Sequence, residues 1–101
     1  PKFKSMSKLP EMRRDLALVV KDATSVADVM SLIREKAVDY LTKLNLFDIY
    51  QGKGIDPDRK SLALCLTWQH PSRTLNEQEV NEAVDYVLAH LVDRIDAQLR
   101  G

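Results

Sequence analysis

The chain has 101 residues, of which 45% are hydrophobic and 30% are charged, and its 15 basic and 15 acidic side chains cancel. That length suits one domain with a single core. No apolar run approaches the ~20 residues that cross a bilayer, which excludes a membrane span within this sequence. Proteins that hold nucleic acid mainly through phosphates are normally basic, so a neutral chain should bind any nucleic acid locally and weakly, or with help from elsewhere.

The single cysteine, Cys65, excludes an internal disulfide and an iron–sulfur cluster. One free thiol fits a reducing, cytoplasmic compartment. The charged N-terminus precedes no apolar segment that could act as a signal peptide. Because the chain begins with Pro1 rather than methionine, we expect a piece of a longer chain or a processed one.

The first half of the chain predicts a strand, a helix and a second strand. Residues 1–12 show little periodicity and predict an irregular lead-in, whereas the aliphatic run 15–20 predicts strand one. Ser25, with Asp28 three residues later, is typical of a helix N-cap, and apolar residues at helical spacing predict an amphipathic helix as far as residue 37. Residues 40–51 then predict strand two, whose second half alternates.

The second half predicts the same kinds of element in the order strand, helix, strand. Glycines at 52 and 54 with Pro57 indicate a hairpin turn, and the alternating run 60–69 predicts strand three. Asn76 and Glu79 form a second capping-box-like start for a helix with its apolar stripe over residues 80–92. A short last strand follows at 97–100. Residues 1–101 are thus one α+β domain of ferredoxin-like βαββαβ topology, a four-stranded antiparallel sheet with two helices on one face and the other face open.

Side-chain parity predicts which residues lie on the open face. The helix side should hold Leu16, Leu18, Val20, Leu62, Leu64, Leu66 and Trp68, with Phe47 and Ile49 from strand two. The opposite parity assigns to the open face Asp15, Ala17, Val19, Ser61, Ala63, Cys65 and Thr67, with Asp48 and Tyr50 near Leu46. A register error of one residue would exchange these sets.

The predicted open face suits a flat ligand. The Tyr50 ring can stack on a nucleobase, and Asp48 can accept from the N–H groups on the Watson–Crick edge of an unpaired base, where guanine offers two donors. The small side chains of Ala17, Ser61 and Ala63 would let a base approach the backbone. The structural alternative is that Tyr50 packs across strands and that Asp48 pairs with Arg13 or Arg14.

Five motifs in order make the chain resemble a known family: PEMRRDLA at 10–17, LFDIYQGKG at 46–54, KSLAL at 60–64, SRTL at 72–75 and EVN at 79–81. From about Ser7 to Gly101 it resembles the ferredoxin-fold anticodon-binding domain that ends the beta subunit of bacterial phenylalanine–tRNA ligase. The resemblance implies a binding domain of an ATP-dependent ligase whose catalytic site, with ATP and magnesium, lies in the alpha subunit, so this domain itself needs no cofactor. Its implied partners are the anticodon of phenylalanine tRNA and the rest of both subunits, with no membrane.

The resemblance also implies particular contacts: Tyr50 for stacking, Asp48 for the base edge, Ser61 for a nearby polar contact. Ala63 belongs to the same surface. One of Arg13 and Arg14 is expected to reach RNA while the other pairs with an acid, and an ion pair of purely structural role is as good an account.

Other features predict no chemistry of their own. Lys53 between two glycines predicts a tight turn with a weak phosphate contact. Neither His70 nor His90 has partners at metal-ligand spacing, and no serine has a histidine placed to activate it, so we expect no metal and no catalytic residue.

Two rival functions remain at the level of sequence. An acylphosphatase-like hydrolase shares this topology but needs an arginine in a phosphate-binding loop after strand one, where residues 21–24 read Lys-Asp-Ala-Thr. A regulatory or assembly domain, which pairs its sheet with a second copy or binds a small molecule, is compatible with the fold alone.

Overall fold

The computed structural model describes residues 10–37 and 40–100, so most of the expected irregular lead-in lies outside the described residues. The elements are β1 Met12–Lys21, α1 Val26–Lys36, β2 Leu41–Tyr50, β3 Arg59–Trp68, α2 Glu77–Ile95 and β4 Gln98–Leu99. The strands form one antiparallel sheet in the order β2-β3-β1-β4. The predicted ferredoxin-like α+β fold is therefore confirmed, with β1 beginning three residues earlier than the aliphatic run suggested.

Both helices begin where their caps predict. The Ser25 side chain accepts a hydrogen bond from the backbone N–H of Asp28, at 3.1 Å. Asn76 and Glu79 satisfy each other's backbone N–H groups in a complete capping box, at 2.9 and 3.2 Å. Because a capping box satisfies two otherwise unpaired backbone donors, α2 starts at Glu77, one turn before its apolar stripe.

One core lies between the helices and one face of the sheet. Its buried members from the strands are Leu16, Leu18, Val20, Leu62, Leu64, Leu66 and Trp68, and those from the helices are Val29, Leu32, Ile33, Val80, Ala83, Val87 and Leu91. The strand residues are those that parity assigned to the helix side. Within the described ranges, no helix is long and apolar enough to cross a membrane.

Strand β2 departs from simple alternation, and two sequence-based placements are wrong there. The register shifts between Leu46 and Asp48, so Phe47 has no partner position in β3 and its side chain is 62% exposed rather than in the core. Leu46 lies opposite Leu64 and packs against the core, not on the open face. A β-bulge adds one residue to a strand and reverses the parity of everything after it. Ile49, opposite Leu62, therefore lies on the helix side, although it remains half exposed at the sheet edge.

Candidate nucleic-acid interface

The sheet face away from the helices, called here the outer face, is defined by residues that lie opposite one another in the strand register. They are Arg13, Asp15, Ala17 and Val19 from β1, Ser61, Ala63, Cys65 and Thr67 from β3, and Lys43, Asn45, Asp48 and Tyr50 from β2. Small side chains occupy β3 and position 17 of β1, and longer ones occupy β2 and the start of β1. The outer face is therefore a shallow trough that runs along β3.

The structure brings the four main predicted site residues to one end of this trough. Tyr50 lies opposite Ser61, and Asp48 lies opposite Ala63. Directly opposite side chains of an antiparallel pair have Cβ atoms about 5 Å apart. The four residues therefore lie on one side of the sheet, and the bulge at Phe47 is what gives Asp48 and Tyr50 the parity of the β3 small residues.

The Tyr50 ring is held by the turn that follows its strand. Its hydroxyl donates a 2.8 Å hydrogen bond to the backbone carbonyl of Lys53, while the ring remains 37% exposed. A Cβ atom at Gly52 would lie only 3.2 Å from the Tyr50 oxygen, so glycine is what lets the turn pass so close. Lys53 thus contributes its carbonyl to the placement of the ring, and its own side chain is exposed.

Asp48 is exposed and has no ion pair within residues 10–37 and 40–100. Arg13 lies opposite Thr67, four residues along β3 from the partner of Asp48, or about 13 Å at the usual rise of a strand. The alternative in which Asp48 pairs with Arg13 or Arg14 is therefore not the arrangement of the folded chain. The carboxylate is available to an external donor.

Arg13 and Arg14, from the motif at 10–17, lie on opposite faces of the sheet, as adjacent strand residues should. Arg13 lies on the outer face and donates to the Cys65 sulfur at 3.1 Å, a contact that raises the pKa of the Arg13 guanidinium. Arg14 lies opposite Leu66, on the helix side, and donates to the side-chain oxygen of Asn81 at 3.2 Å. Arg14 is therefore on the other side of the sheet from the remaining site residues.

Arg100 is the site residue that the sequence reasoning missed. Its backbone N–H donates to the Ala17 carbonyl at 2.7 Å, and its Nη1 donates to Ser61 Oγ at 3.3 Å. Its guanidinium carbon lies 5.4 Å from the centroid of the Tyr50 ring. A signal existed: if Leu99 faces the helices in the predicted last strand, then Arg100 must face outward.

The charges on the outer face are mixed. Arg13, Lys43 and Arg100 supply cations along the trough, while Asp15 and Asp48 supply carboxylates. Such a surface offers a few separate phosphate contacts rather than a continuous basic stripe. It suits recognition of a base more than tracking of a backbone.

The loop after β1 is not built to hold a phosphate. Asp22 accepts from the Gln51 side-chain amide at 2.7 Å, and its backbone N–H already donates to the Asp58 carbonyl at 2.8 Å. Lys60 donates to the Asp22 carbonyl at 2.9 Å. A carboxylate and an occupied amide stand where an acylphosphatase-like site would require free N–H donors and an arginine.

A separate apolar groove of about 240 Å³ lies against α2, at the other side of the sheet. Its lining residues are Tyr40, Trp68, Leu75, Val80, Ala83 and Tyr86, with Glu79 and Glu82 at its margin. Two carboxylates beside an apolar floor would repel a polynucleotide. No group of three or more His, Cys, Asp or Glu residues that could hold a metal occurs in the described part of the chain.

Comparisons with known proteins identify a family and relatives that the chain resembles. A family model described as the ferredoxin-fold anticodon binding domain matches residues 7–100. The chain is 57% identical, over 99% of its length, to the phenylalanine–tRNA ligase beta subunit of Pseudomonas putida, and 44% identical, over 100%, to that of Hahella chejuensis. In each case the match spans only 13% of the relative, so the chain corresponds to a small part of those proteins.

Proposed function

The chain belongs to the family of ferredoxin-fold anticodon-binding domains, and from that premise we propose that it binds the anticodon of phenylalanine tRNA on its outer face. The relatives, which are phenylalanine–tRNA ligase beta subunits, support the choice of tRNA. In this proposal the domain is a non-catalytic part of a cytoplasmic, ATP-dependent ligase. Its further partners are the rest of the beta subunit and an alpha subunit, where ATP, magnesium and the catalytic site lie.

The observation that carries the proposal is the placement of Tyr50 and Asp48 above small residues at one end of the trough. Stacking of a base on an aromatic ring contributes ~1–3 kcal/mol and tolerates any base. The hydrogen bond to the Lys53 carbonyl holds the ring in place before the ligand arrives, so little side-chain entropy is lost on binding. Tyr50 therefore supplies affinity.

Asp48 supplies the preference among bases. A carboxylate has only acceptors, and the Watson–Crick edge of guanine offers two adjacent N–H donors. Adenine places an acceptor in the same position, opposite the carboxylate. A good bidentate contact discriminates by about 1–3 kcal/mol against the wrong base. The first anticodon base of phenylalanine tRNA, typically guanine, is the base that this arrangement selects.

Ser61, Ala63 and Ala17 let the base lie close to the sheet. Their side chains form the floor of the trough, where Ser61 is only 4% exposed. A larger residue on this floor would lift the base off the Tyr50 ring. A phosphate next to this base can then reach Lys53, and one further along the strand can reach Arg13, at the other end of the outer face; these are the weaker contacts in this account.

The test is a titration of the 101-residue chain with anticodon stem-loops that carry guanine or adenine at the first anticodon base, at a stated low salt. We expect tighter binding to the guanine loop. A Tyr50→Leu variant should bind both loops about tenfold more weakly because the stacking surface is lost, whereas Tyr50→Phe should keep most of the affinity. The matched control is Tyr86→Leu, an exposed tyrosine on α2.

Asp48→Asn tests the base preference separately. One oxygen is replaced by an amide donor, so we expect the guanine-to-adenine ratio to fall toward one while stacking is retained. Asp85→Asn, on the exposed surface of α2, is the control. Equal affinity for both loops in the wild-type chain would contradict the proposal and favour the regulatory or assembly role.

The dependence of affinity on salt gives a third readout. Each phosphate neutralised by a cation adds about 0.7 to the magnitude of the slope for a single strand. The net charge is zero, and Lys43, one of the three cations on the outer face, is already paired with Glu11 at 3.4 Å, so we expect a shallow slope, of no more than about two. A slope that corresponds to six or more phosphates would contradict base-centred recognition.

A further inference from the structure

We propose that Arg100 is the second stacking surface of the base site, so that a single unpaired base lies between the Tyr50 ring and the Arg100 guanidinium. This inference rests on the proposed function and adds a binding residue to it. Arginine guanidinium planes stack on bases much as aromatic rings do. Nothing in the motif-based reading of the sequence had assigned a role to Arg100.

In the free protein the Arg100 guanidinium lies directly over the Tyr50 ring, at a distance slightly too short for a base to fit between them. We call this pair of groups the clamp. The guanidinium carbon lies 5.4 Å from the Tyr50 ring centroid. Two stacked contacts of about 3.5 Å each require about 7 Å between the outer planes. The guanidinium therefore has to move outward by only about 1.5 Å to admit a base.

The backbone of Arg100 is held by the sheet, whereas its side chain is held only weakly and can move outward. The backbone N–H pairs with the Ala17 carbonyl at 2.7 Å, which continues the ladder of β4 on β1. Among residues 10–37 and 40–100, the Arg100 side chain makes one hydrogen bond, to Ser61 Oγ at 3.3 Å. When a base displaces that contact, the Ser61 hydroxyl becomes available to the base or to its ribose.

The contact between Arg100 and the Tyr50 ring also stabilises the free protein. An arginine over a tyrosine face gains cation–π attraction, which is modest at a partly exposed site. It keeps other side chains off the Tyr50 ring and off the small residues below. The ligand therefore exchanges a weak contact for two stacking contacts.

Arg100 could also contribute to RNA binding through its positive charge alone. Substitution by lysine distinguishes this explanation from stacking. Arg100→Lys retains the positive charge and the backbone pairing but lacks the planar group that stacks. We expect Arg100→Lys to bind the guanine stem-loop about tenfold more weakly than the wild type, with an unchanged salt slope. Arg34→Lys, on the exposed surface of α1, is the matched control and should bind normally.

Stacking can also be measured directly. A fluorescent purine is placed at the first anticodon position, and its emission is quenched when it stacks. Saturating wild-type protein should quench it strongly, Arg100→Lys less, and the Tyr50→Leu, Arg100→Lys double variant least. The two affinity losses should not add fully, because both residues hold the same base. Thermal unfolding of each variant checks that the fold is retained.

The outcomes separate this inference from the proposed function. If the wild-type chain does not prefer the guanine loop, then the proposed function fails. If the wild type binds guanine and Tyr50→Leu weakens it, but Arg100→Lys matches the wild type in affinity and quenching, then only the clamp is overturned. Loss of affinity in Arg100→Lys with an unchanged salt slope supports the clamp.

Discussion

The hydroxyl of Tyr50 donates to the backbone carbonyl of Lys53 at 2.8 Å, so the turn after β2 sets the position of the ring. Between them Gly52 adopts a φ of +150°, and an added Cβ would lie 3.2 Å from the hydroxyl oxygen and 3.4 Å from Cζ. The stacking surface of the site therefore depends on a residue that has no side chain.

Gly52→Ala should displace the Tyr50 ring as well as strain the turn. We expect a loss of stability of the order of 1–3 kcal/mol from the positive φ. We also expect a loss of affinity for the guanine stem-loop that is smaller than that of Tyr50→Leu, because the ring has to shift only slightly to relieve the 3.2 Å contact. Chemical denaturation gives the first quantity and titration gives the second.

Gly54→Ala is the matched control for that prediction. Gly54 has a φ of +90° and no neighbouring atom within 4 Å of an added Cβ. The Gly54→Ala variant should therefore lose a similar amount of stability without moving the Tyr50 ring. Its RNA affinity should stay close to that of the wild type. Equal RNA affinities for the two alanine variants would show that Gly52 does not control the site.

The bulge in β2 predicts unequal effects at two neighbouring apolar residues. Leu46 packs against the core, whereas Phe47 is 62% exposed. We expect Leu46→Ala to destabilise the fold by about 2 kcal/mol and Phe47→Ala by no more than about 0.5 kcal/mol. Urea denaturation measures both, and the reverse order would mean that the register shift lies elsewhere.

Glu79 links the stability of α2 to acid pH. Its bidentate contact with Arg73, together with the Asn76 backbone N–H, lowers its pKa from 4.5 to about 2. A carboxylate whose pKa is lower in the folded state stabilises the fold above its unfolded-state pKa, and that stabilisation is lost as the pH falls from 4.5 toward 2. We expect Glu79→Gln to lack this part of the acid dependence.

Thermal unfolding at several pH values between 2 and 6 tests this. Glu77→Gln, in the same first turn of α2, is the control and should keep the wild-type decrease, because the Glu79 contacts remain. If the Glu79 and Glu77 variants lose stability in parallel with the wild type, then the Arg73 pair does not set the acid limit.

Trp68 ties the end of α1 to the sheet. Its Nε1 donates to the Ala37 carbonyl at 2.9 Å in the core, where both residues are essentially unexposed. Trp68→Phe leaves that carbonyl without its partner, which costs ~1–3 kcal/mol before any lost packing is counted. Urea denaturation followed by circular dichroism measures it, since the only tryptophan is gone. A loss below about 0.5 kcal/mol would contradict a buried, obligatory hydrogen bond.

Much of the fold could be predicted because helix caps and strand alternation depend on a few consecutive residues and are kept in the tertiary structure. Ser25 and Asn76 cap the helices they were expected to cap. Strands β1 and β3 alternate without interruption, and they pair residue by residue with no register shift. A period of two then decides the face of every side chain.

The site was predictable only in part, for two different reasons. Asp48 and Tyr50 reach the outer face because the chain inserts one residue at Phe47, and a hydrophobic run such as Leu46–Phe47 gives no local signal of a bulge. Alternation in the last strand indicates only that Arg100 faces outward. Its role depends on contacts with Ser61 and Tyr50, which are distant in the chain and which no local pattern encodes.

The sequence by itself determined the order of elements, the helix caps, the small-residue floor on β3 and the family to which the chain belongs. Tertiary structure alone decided that Leu46 packs against the core while Phe47 is exposed, and that Arg100 lies over Tyr50. The physical reason is that alternation and capping are properties of a few consecutive residues. Register shifts and contacts between distant strands depend on hydrogen-bond ladders that exist only once the sheet has assembled.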